Sequence, residues 1–488
     1  MPKLSRRRFP LLLAIGSTGL LLPSTLRGAP APEYMTPTPW PVERMVANLQ
    51  RWVTENPDDD QGHFVLGRVH ALAFTLEAKQ LGCWFEPEEG AEELLAVPED
   101  PIQRAFYGRG KPDRDGPGPD EMLSHLRQGI RHLQRALDLA PERAATHLSL
   151  GYLIERGAHL APRLETFSIF RLPQIRIRQD TDEGILQRLQ ALGSSDTPER
   201  DRALSELQER RFFLPSLRYL ESECLSSNRR RSDGARELLE RFWKEQAIEH
   251  DRLAFEMALP REIELDTKPL AMQGDGLDTL VSYEAGRAWL RLVEERGPVN
   301  ETEREGLMEV RDALKKFEAL PPTNAITPLI LSLEEGARLE DLLLPDSTVL
   351  FDLDGDGTDE AWPWLRPGAG FLVWDPQESG RVSSGRQMFG TVSAQLYFDD
   401  GYRALSSLDD DGDERLSNEE LRGVALWFDD DCDGLAEAGE VRPVREHGIT
   451  ALATRATVRI GRSPGNPCGV ETADGRFLAS YDWVTESL

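Results

Sequence analysis

From Pro39 to about Pro321, apolar residues recur at three- and four-residue spacing in stretches such as "VERMVANLQRWV", "MLSHLRQGIRHLQRALDLA" and "ARELLERFWKEQAIEHDRLAFEMAL". That spacing predicts amphipathic helices. After "ALPPTNAITPLILSL" short apolar runs replace the long helical ones, aromatic, glycine and aspartate content rises, and acidic loops recur. A second domain is therefore expected from about residue 322. Its last segment, "TVRIGRSPGNPCGVETADGRFLASYDWV", alternates like a small β-hairpin around "ADGR". The expected fold class is a multidomain chain: a mainly α N-terminal region followed by an α+β domain.

The helical part repeats itself. Leu66 and Gly67 lie nine and ten residues after Pro57, and Leu150 and Gly151 lie at the same distances from Pro141. Ala136 supplies a small residue just before the second proline. The pattern resembles the tetratricopeptide repeat, in which a proline closes one helical hairpin and a Leu-Gly pair lets the next helices approach closely. The resemblance covers roughly residues 40–160, within a region bounded at 32–160. It implies a concave surface for a protein or peptide partner, the alternative being a helical domain packed only on itself. Residues 161–321 continue as helices of unknown role, broken at "GSSDTPERD", "SSNRRRSDG" and "QGDG".

Residues 1–31 have a basic start, an apolar run from Leu11 to Leu22, and Ala29-Pro30-Ala31 near a plausible cleavage point, the anatomy of an export signal. The run is too short for a helix to span a bilayer core of about 30 Å, so no stable membrane span is expected after its removal. Ser5-Arg6-Arg7-Arg8-Phe9 resembles the twin-arginine export motif, which implies a periplasmic or extracellular location. The 488 residues are 39% hydrophobic, enough for real cores. The formal charge of −28 becomes −33 once the five basic residues of the leader are gone. A chain this acidic repels nucleic acid and anionic lipid.

Acid is concentrated where cations are expected. In "DDDCDGLAEAGE", Asp429, Asp431, Asp433, the Leu435 carbonyl, Glu437 and Glu440 stand at positions 1, 3, 5, 7, 9 and 12, with Gly434 at the turn position 6. A hard cation such as Ca2+ takes six to eight oxygens, and this is the EF-hand ligand spacing. Cys432, at position 4, is a bystander or a disulfide partner. The preceding loop repeats the pattern with Asp409, Asp411, Asp413, the Arg415 carbonyl, Ser417 and Glu420, but carries Glu414 at position 6. A side chain held there in a left-handed conformation costs on the order of 1–2 kcal/mol. The intervening "LRGVALWF" is expected to be a short helix or a turn of helix, pairing the two loops as a compact EF-hand-like unit. A third loop supplies Asp352, Asp354, Asp356, the Thr358 carbonyl and Glu360, with Pro363 at position 12. It resembles the strand-loop-strand calcium loops of FG-GAP repeats. A fourth, from Asp375, has Gln377, Ser379, Gly380 and Gln387 at the corresponding positions and is expected to be empty or weak. Carboxylates about 5 Å apart repel by roughly 1–3 kcal/mol per pair at effective dielectrics of about 80–20, a penalty that a dication removes.

Residues 350–453 as a whole resemble the calcium-binding segment of some large exported bacterial proteins, including repeats-in-toxin proteins. The resemblance implies a module binding two or three Ca2+ ions, with no catalytic activity. An enzyme is not expected on the residues either. "GRSPG" at 461–465 matches a hydrolase nucleophile turn, yet Pro464 has no N–H for an oxyanion hole and no histidine follows Ser463. His63/His70 and His125/His132 are each seven apart and are read as packing or surface residues. Cys83, Cys224, Cys432 and Cys468 allow three complete pairings. Cys432 with Cys468 is favoured by their shared C-terminal position, and four free thiols are the alternative. The expected function is calcium binding that stabilises the C-terminal domain, with a protein-interaction role for the helices. The alternatives are a protein-binding scaffold with purely structural ions, or a calcium-dependent envelope hydrolase.

Overall fold

The computed structural model describes residues 38–82, 117–160, 198, 202, 243–259, 278–317, 325–355 and 359–487. The segment read as an export signal, residues 1–31, Cys83 and Cys224, and the predicted ligands Asp356 and Thr358 lie outside them.

The described residues begin with a two-stranded ribbon, β1 (Pro39–Pro41) against β2 (Gln80–Gly82), which encloses helices α1 (Val42–Glu55) and α2 (Asp60–Leu76). Helix α1 is amphipathic and buries Val42, Met45, Leu49 and Val53. Every residue of α2 from Gln61 to Phe74 is buried, so α2 is a central helix packed on all sides. Its start is capped by Asp59, whose carboxylate accepts from the Gly62 amide at 3.1 Å. Then come α3 (Pro119–Leu139), α4 (Ala144–Leu160), α5 (residues 243–259), α6 (Asp278–Arg296) and α7 (Glu301–Phe317).

The two Leu-Gly pairs sit at helix crossings. A Cβ on Gly67 would lie 2.8 Å from Leu133 of α3, and one on Gly151 would lie 2.5 Å from Asp251 of α5. The histidines follow the same repeat. His63 and His147 each put Nε2 on the carbonyl of the proline six residues earlier, at 3.2 and 3.3 Å. Their Nδ1 atoms face Nδ1 of His132 and His250 at 3.0 and 2.9 Å, and His70 meets His125 at 2.8 Å. Donation from Nε2 to the proline carbonyl leaves Nδ1 as acceptor, so His132 and His250 must donate. Burial holds His70 and His250 down to a pKa of about 3 and His132 to about 4. The lowered pKa values leave these rings neutral, and His63, His70, His125 and His132, read from the sequence as packing or surface residues, pair with one another between α2 and α3.

The C-terminal part is built on a nine-stranded antiparallel sheet. Its strands are β4 (Leu329–Ser332), β7 (Ala369–Trp374), β8 (Arg415–Ser417), β9 (Val424–Trp427), β10 (Val441–Pro443), β11 (Ile449–Ala453), β12 (Val458–Ile460), β13 (Ser463–Thr472) and β14 (Phe477–Asp482). The order is β10-β9-β7-β4-β14-β13-β11-β8, with β12 pairing β13. A ribbon of β5 (Leu343–Phe351) and β6 (Glu360–Leu365) stands beside it, and short β3 (Ala325–Ile326) pairs β15 (Thr485–Glu486). Trp362, Trp364, Trp427, Phe351 and Phe371 fill a second core cluster between ribbon and sheet. Strands β13 and β14 make the hairpin expected around "ADGR", and Gly461 (φ +60°) turns β12 into β13. Ser463 is buried there and accepts from the Val484 amide at 3.0 Å.

Two expectations are corrected. "LRGVALWF" is not a helix: Val424–Trp427 is strand β9, all four residues buried, hydrogen-bonded between β7 and β10. A short continuous apolar run reads equally as buried helix or buried strand, and here the sheet decides. As a result the loops from Asp409 and Asp429, expected to pair as an EF-hand-like unit, do not pair. Strand β8, inside the loop from Asp409, pairs β11 at one end of the sheet, while the loop from Asp429 joins β9 to β10 at the other.

Residues 36–488 form one compact unit, in which helices and sheet share an apolar cluster. Trp40 is fully buried, stacks on Trp374 at 5.2 Å, and lies edge-on to Phe389. Arg403 covers the Trp52 ring at 4.0 Å and pairs with Asp59. Among the described residues no helix is long and apolar enough to cross a membrane.

Candidate metal sites

Three loops bring carboxylates together. Asp352, Asp354 and Glu360 form one group, Asp409, Asp411 and Glu420 a second, and Asp429, Asp431 and Glu440 a third, each with ligand atoms within 4.8 Å of one another. Each group is able to hold a metal ion. In the second and third, positions 1, 3 and 12 converge; in the first, positions 1, 3 and 9. Asp413, Asp433 and Glu437 stand outside these groups.

The loop from Asp429 is a strand-loop-strand connection. Asp429 is buried, and its Oδ2 accepts from the Trp364 indole at 2.6 Å and the Gly434 amide at 2.9 Å. Glu440 closes the loop by accepting from the Asp430 amide at 3.2 Å, the Glu437 amide at 3.0 Å and the Trp427 indole at 3.4 Å. Asp433 accepts from the Leu435 amide at 2.7 Å. Burial pushes the Asp429 carboxyl above the usual range, against the pull of Gly434, Trp364 and Asp433, and the Glu440 charge adds to the rise.

The loop from Asp409 follows the short helix α9 (Gly401–Ser406), the single turn α8 being Leu339–Leu342, and is completed by strand β8 and a 3-10 turn at Asn418–Leu421. Asp409 accepts from the Gly412 amide at 2.6 Å and the Glu414 amide at 3.1 Å. Glu420 accepts from the amides of Asp410 at 2.6 Å and Ser417 at 2.9 Å. Burial also raises Asp409. Helix α1 lies directly on this loop: Arg44 bonds Asp410 Oδ1 at 2.8 Å and the Leu408 carbonyl at 2.6 Å, and Arg51 bonds the carbonyls of Asp409 and Asp410. Although burial pushes Asp410 up, Arg44, Asn48 and Arg51 hold its carboxyl below the usual range.

The backbone of the loops is left-handed at two positions. Position 6 is left-handed at Gly434 (φ +78°) and at Glu414 (φ +65°), the strain expected from the sequence. Position 4 is left-handed as well, at Gly412 (φ +78°), Cys432 (φ +61°) and Gly355 (φ +75°). Sequence reasoning missed this second position. The signal was present, since two of the three loops carry glycine there.

Cys432 Sγ lies 3.6 Å from the Leu365 carbonyl and 3.8 Å from the Asp429 carbonyl, and the residue packs against the second core cluster. It is a free thiol, as is the exposed Cys468, so the favoured disulfide between them is not formed. One lies in a loop beyond β9 and the other on β13, strands separated by β7, β4 and β14. Burial and the surrounding Asp429, Asp431, Asp430 and Glu440 push the Cys432 thiol up. At the fourth loop, Asp375 accepts from Ser379 N and Oγ at 2.9 Å and from Gly380 N at 2.8 Å. Gln387 accepts from Ser383 and donates to Thr38 at 2.9 Å.

Residues 329–478 match the SPM domain family, a segment that contains all three carboxylate groups. An iron-regulated protein, FrpA, of Neisseria meningitidis serogroup C is 31% identical over 108 residues, which is 21% of this chain and 10% of that protein. The likeness is thus to a small part of a much longer relative, and the residues it shares with the chain amount to a segment, not a whole protein.

Proposed function

We propose that the protein is an exported calcium-binding protein whose C-terminal domain is stabilised by Ca2+ at the three carboxylate groups. The observation that carries the reading is the repetition: three separate loops each converge an aspartate pair and a closing glutamate. Oxygen-only donors suit a hard cation, and Ca2+ accepts six to eight such ligands. The converged positions agree with EF-hand-like spacing in two loops and with FG-GAP-like spacing in the first. Cation binding then links to folding, because carboxylates held together only in the native state repel until an ion joins them. The basic, apolar and small-residue pattern of residues 1–31 supports export by a twin-arginine-like route. Calcium would then meet the sites outside the cytoplasm.

Calorimetric titration of Ca2+ into chelator-stripped mature protein tests the reading. Saturable binding to two or three ions is expected, with one fewer in the Asp429→Ala/Glu440→Ala variant. Exported modules of this kind bind at about 10^-4 to 10^-3 M. Absence of heat up to about 10 mM, above that range, together with protease resistance unchanged by chelator, refutes it.

A further inference from the structure

We propose that helix α1 is a working part of the cation site at Asp409: Arg44, Asn48 and Arg51 are positioning residues of that site, and its occupancy is linked to the docking of α1. The inference rests on the calcium reading above and concerns one of the three sites. The three side chains stand at i, i+4 and i+7, on one face of α1. The turns that end α9 use the carbonyls of Ala404, Leu405 and Ser406 for local hydrogen bonds. The next four carbonyls in the chain go to α1. Asn48 Nδ2 donates to Ser407 O at 3.1 Å, Arg44 Nη2 to Leu408 O at 2.6 Å, and Arg51 to the carbonyls of Asp409 and Asp410. Arg44 Nε and Asn48 Nδ2 also share Asp410 Oδ1, at 2.8 and 2.9 Å, and Arg44 reaches the loop's other end at the Glu420 carbonyl, 3.5 Å away. These backbone groups find their partners on a helix more than 350 residues away, so the loop's entry is shaped by α1.

The acceptors are atoms outside the converged set of Asp409, Asp411 and Glu420 carboxylates. Helix α1 thus fixes the backbone on both sides of Asp409 and leaves its carboxylate to the amides of Gly412 and Glu414 and to an ion. Arg51 comes no nearer than 4.0 Å to Asp409 Oδ1. It lies instead over Gly412, where an added Cβ would meet Arg51 Nε at 3.0 Å; the same position of the loop from Asp429 carries Cys432. That loop is held by Trp364 of β6 and Trp427 of β9 instead. The grip of α1 is polar, for beside it α1 and the loop bound a cavity of about 580 Å³ lined by Leu49, Arg51, Trp52, Gly412 and Glu414. Partners that aim a ligand set its affinity without touching the ion. Linkage is reciprocal: the factor by which docked α1 tightens the ion is the factor by which the ion tightens docking. Charge alone predicts the opposite sign, because guanidinium groups beside a dication repel it.

The test combines Ca2+ calorimetry on chelator-stripped mature protein with hydrogen exchange of the α1 amides, residues 42–55. Asn48→Ala removes two hydrogen bonds to the loop without changing charge. It is expected to weaken one calcium site by about 10- to 100-fold and leave the others unchanged, and Arg44→Gln is expected to do the same. Asp411→Asn, at an exposed ligand, approaches the linkage from the other side. In that variant Ca2+ is expected no longer to slow exchange in α1, whereas Asp431→Asn, in the site at Asp429, leaves the slowing intact. The second comparison alters nothing in α1, so it decides the matter even where Asn48→Ala fails to fold. Unchanged affinities in Asn48→Ala and Arg44→Gln, tighter binding in Arg44→Gln, or equal slowing in the two aspartate variants overturns the proposal. Calcium bound at the Asp431-dependent site, with no Asp411-dependent effect on α1, removes the linkage alone. No calcium bound at any site removes the calcium reading and the linkage together.

Discussion

Neutralising one carboxylate of a cation loop should stabilise the protein without calcium and destabilise it with calcium. Asp431→Asn isolates the effect, because Asp431 belongs to the group with Asp429 and Glu440, whose ligand atoms all lie within 4.8 Å. At 4.8 Å each pair repels by about 0.9 kcal/mol in a water-like dielectric, so removing Asp431 relieves about 1.7 kcal/mol. In Ca2+ at about 100 times Kd, wild type gains about 2.7 kcal/mol from the site, and at 1,000 times about 4.1 kcal/mol. A variant unable to bind there then falls below wild type by about 1–2.4 kcal/mol. Tryptophan emission is the natural assay, since Trp364 and Trp427 donate their indole N–H groups to Asp429 and Glu440. Urea unfolding is followed in chelator and in Ca2+ for both proteins. A variant less stable than wild type in chelator, or a stability difference of the same sign in both conditions, refutes the repulsion argument.

Further outcomes follow from the same geometry. Gly434→Ala should cost about 2–4 kcal/mol, since φ is +78° and the added Cβ would lie 2.5 Å from Val349. Gly439→Ala, at φ +97° with open space around it, should cost only the backbone share of about 1–2 kcal/mol; denaturant midpoints compare the two. Asp482 is fully buried, and burial with the nearby Asp400 charge raises its pKa well above the usual carboxylate range. The folded state therefore keeps a proton that the unfolded state releases above about pH 4, so this group's contribution to stability falls as pH rises from there. Asp482→Asn should be more stable than wild type at pH 7 and flatten that slope, as unfolding at pH 5 and pH 8 will show. The histidine pairs act in the opposite direction. With folded pKa values near 3 to 4, they lose stability as pH falls below the unfolded value of about 6.5. Far-UV melting of the helices between pH 7 and pH 4 checks this, and a flat profile contradicts it.

What could be read along the chain was whatever is decided within a dozen residues. Helix periodicity, the Pro-to-Leu-Gly spacing and the aspartate register are local, and α1, α2, α3 and α4 fall where the pattern put them. So do the converged acids at positions 1 and 3 of the loops and the left-handed strain at Glu414. The errors have one cause as well. "VALW" supplies an apolar run of no distinctive period, and only its neighbours β7 and β10, the former 50 or more residues away, make it a strand. The separation of the loops from Asp409 and Asp429 to opposite ends of the sheet follows from β8 choosing β11 as partner, a long-range pairing that no local signal announces. The same holds for the meeting of helices and sheet: Arg44, Arg51, Gln61 and Arg68 look like solvated polar residues in sequence, yet they hold carbonyls more than 300 positions away. Ligand spacing and helix period are written in consecutive residues because backbone geometry imposes them there. Strand order and docking are set by burial and hydrogen-bond satisfaction across the whole chain, and so they exist only once it has folded.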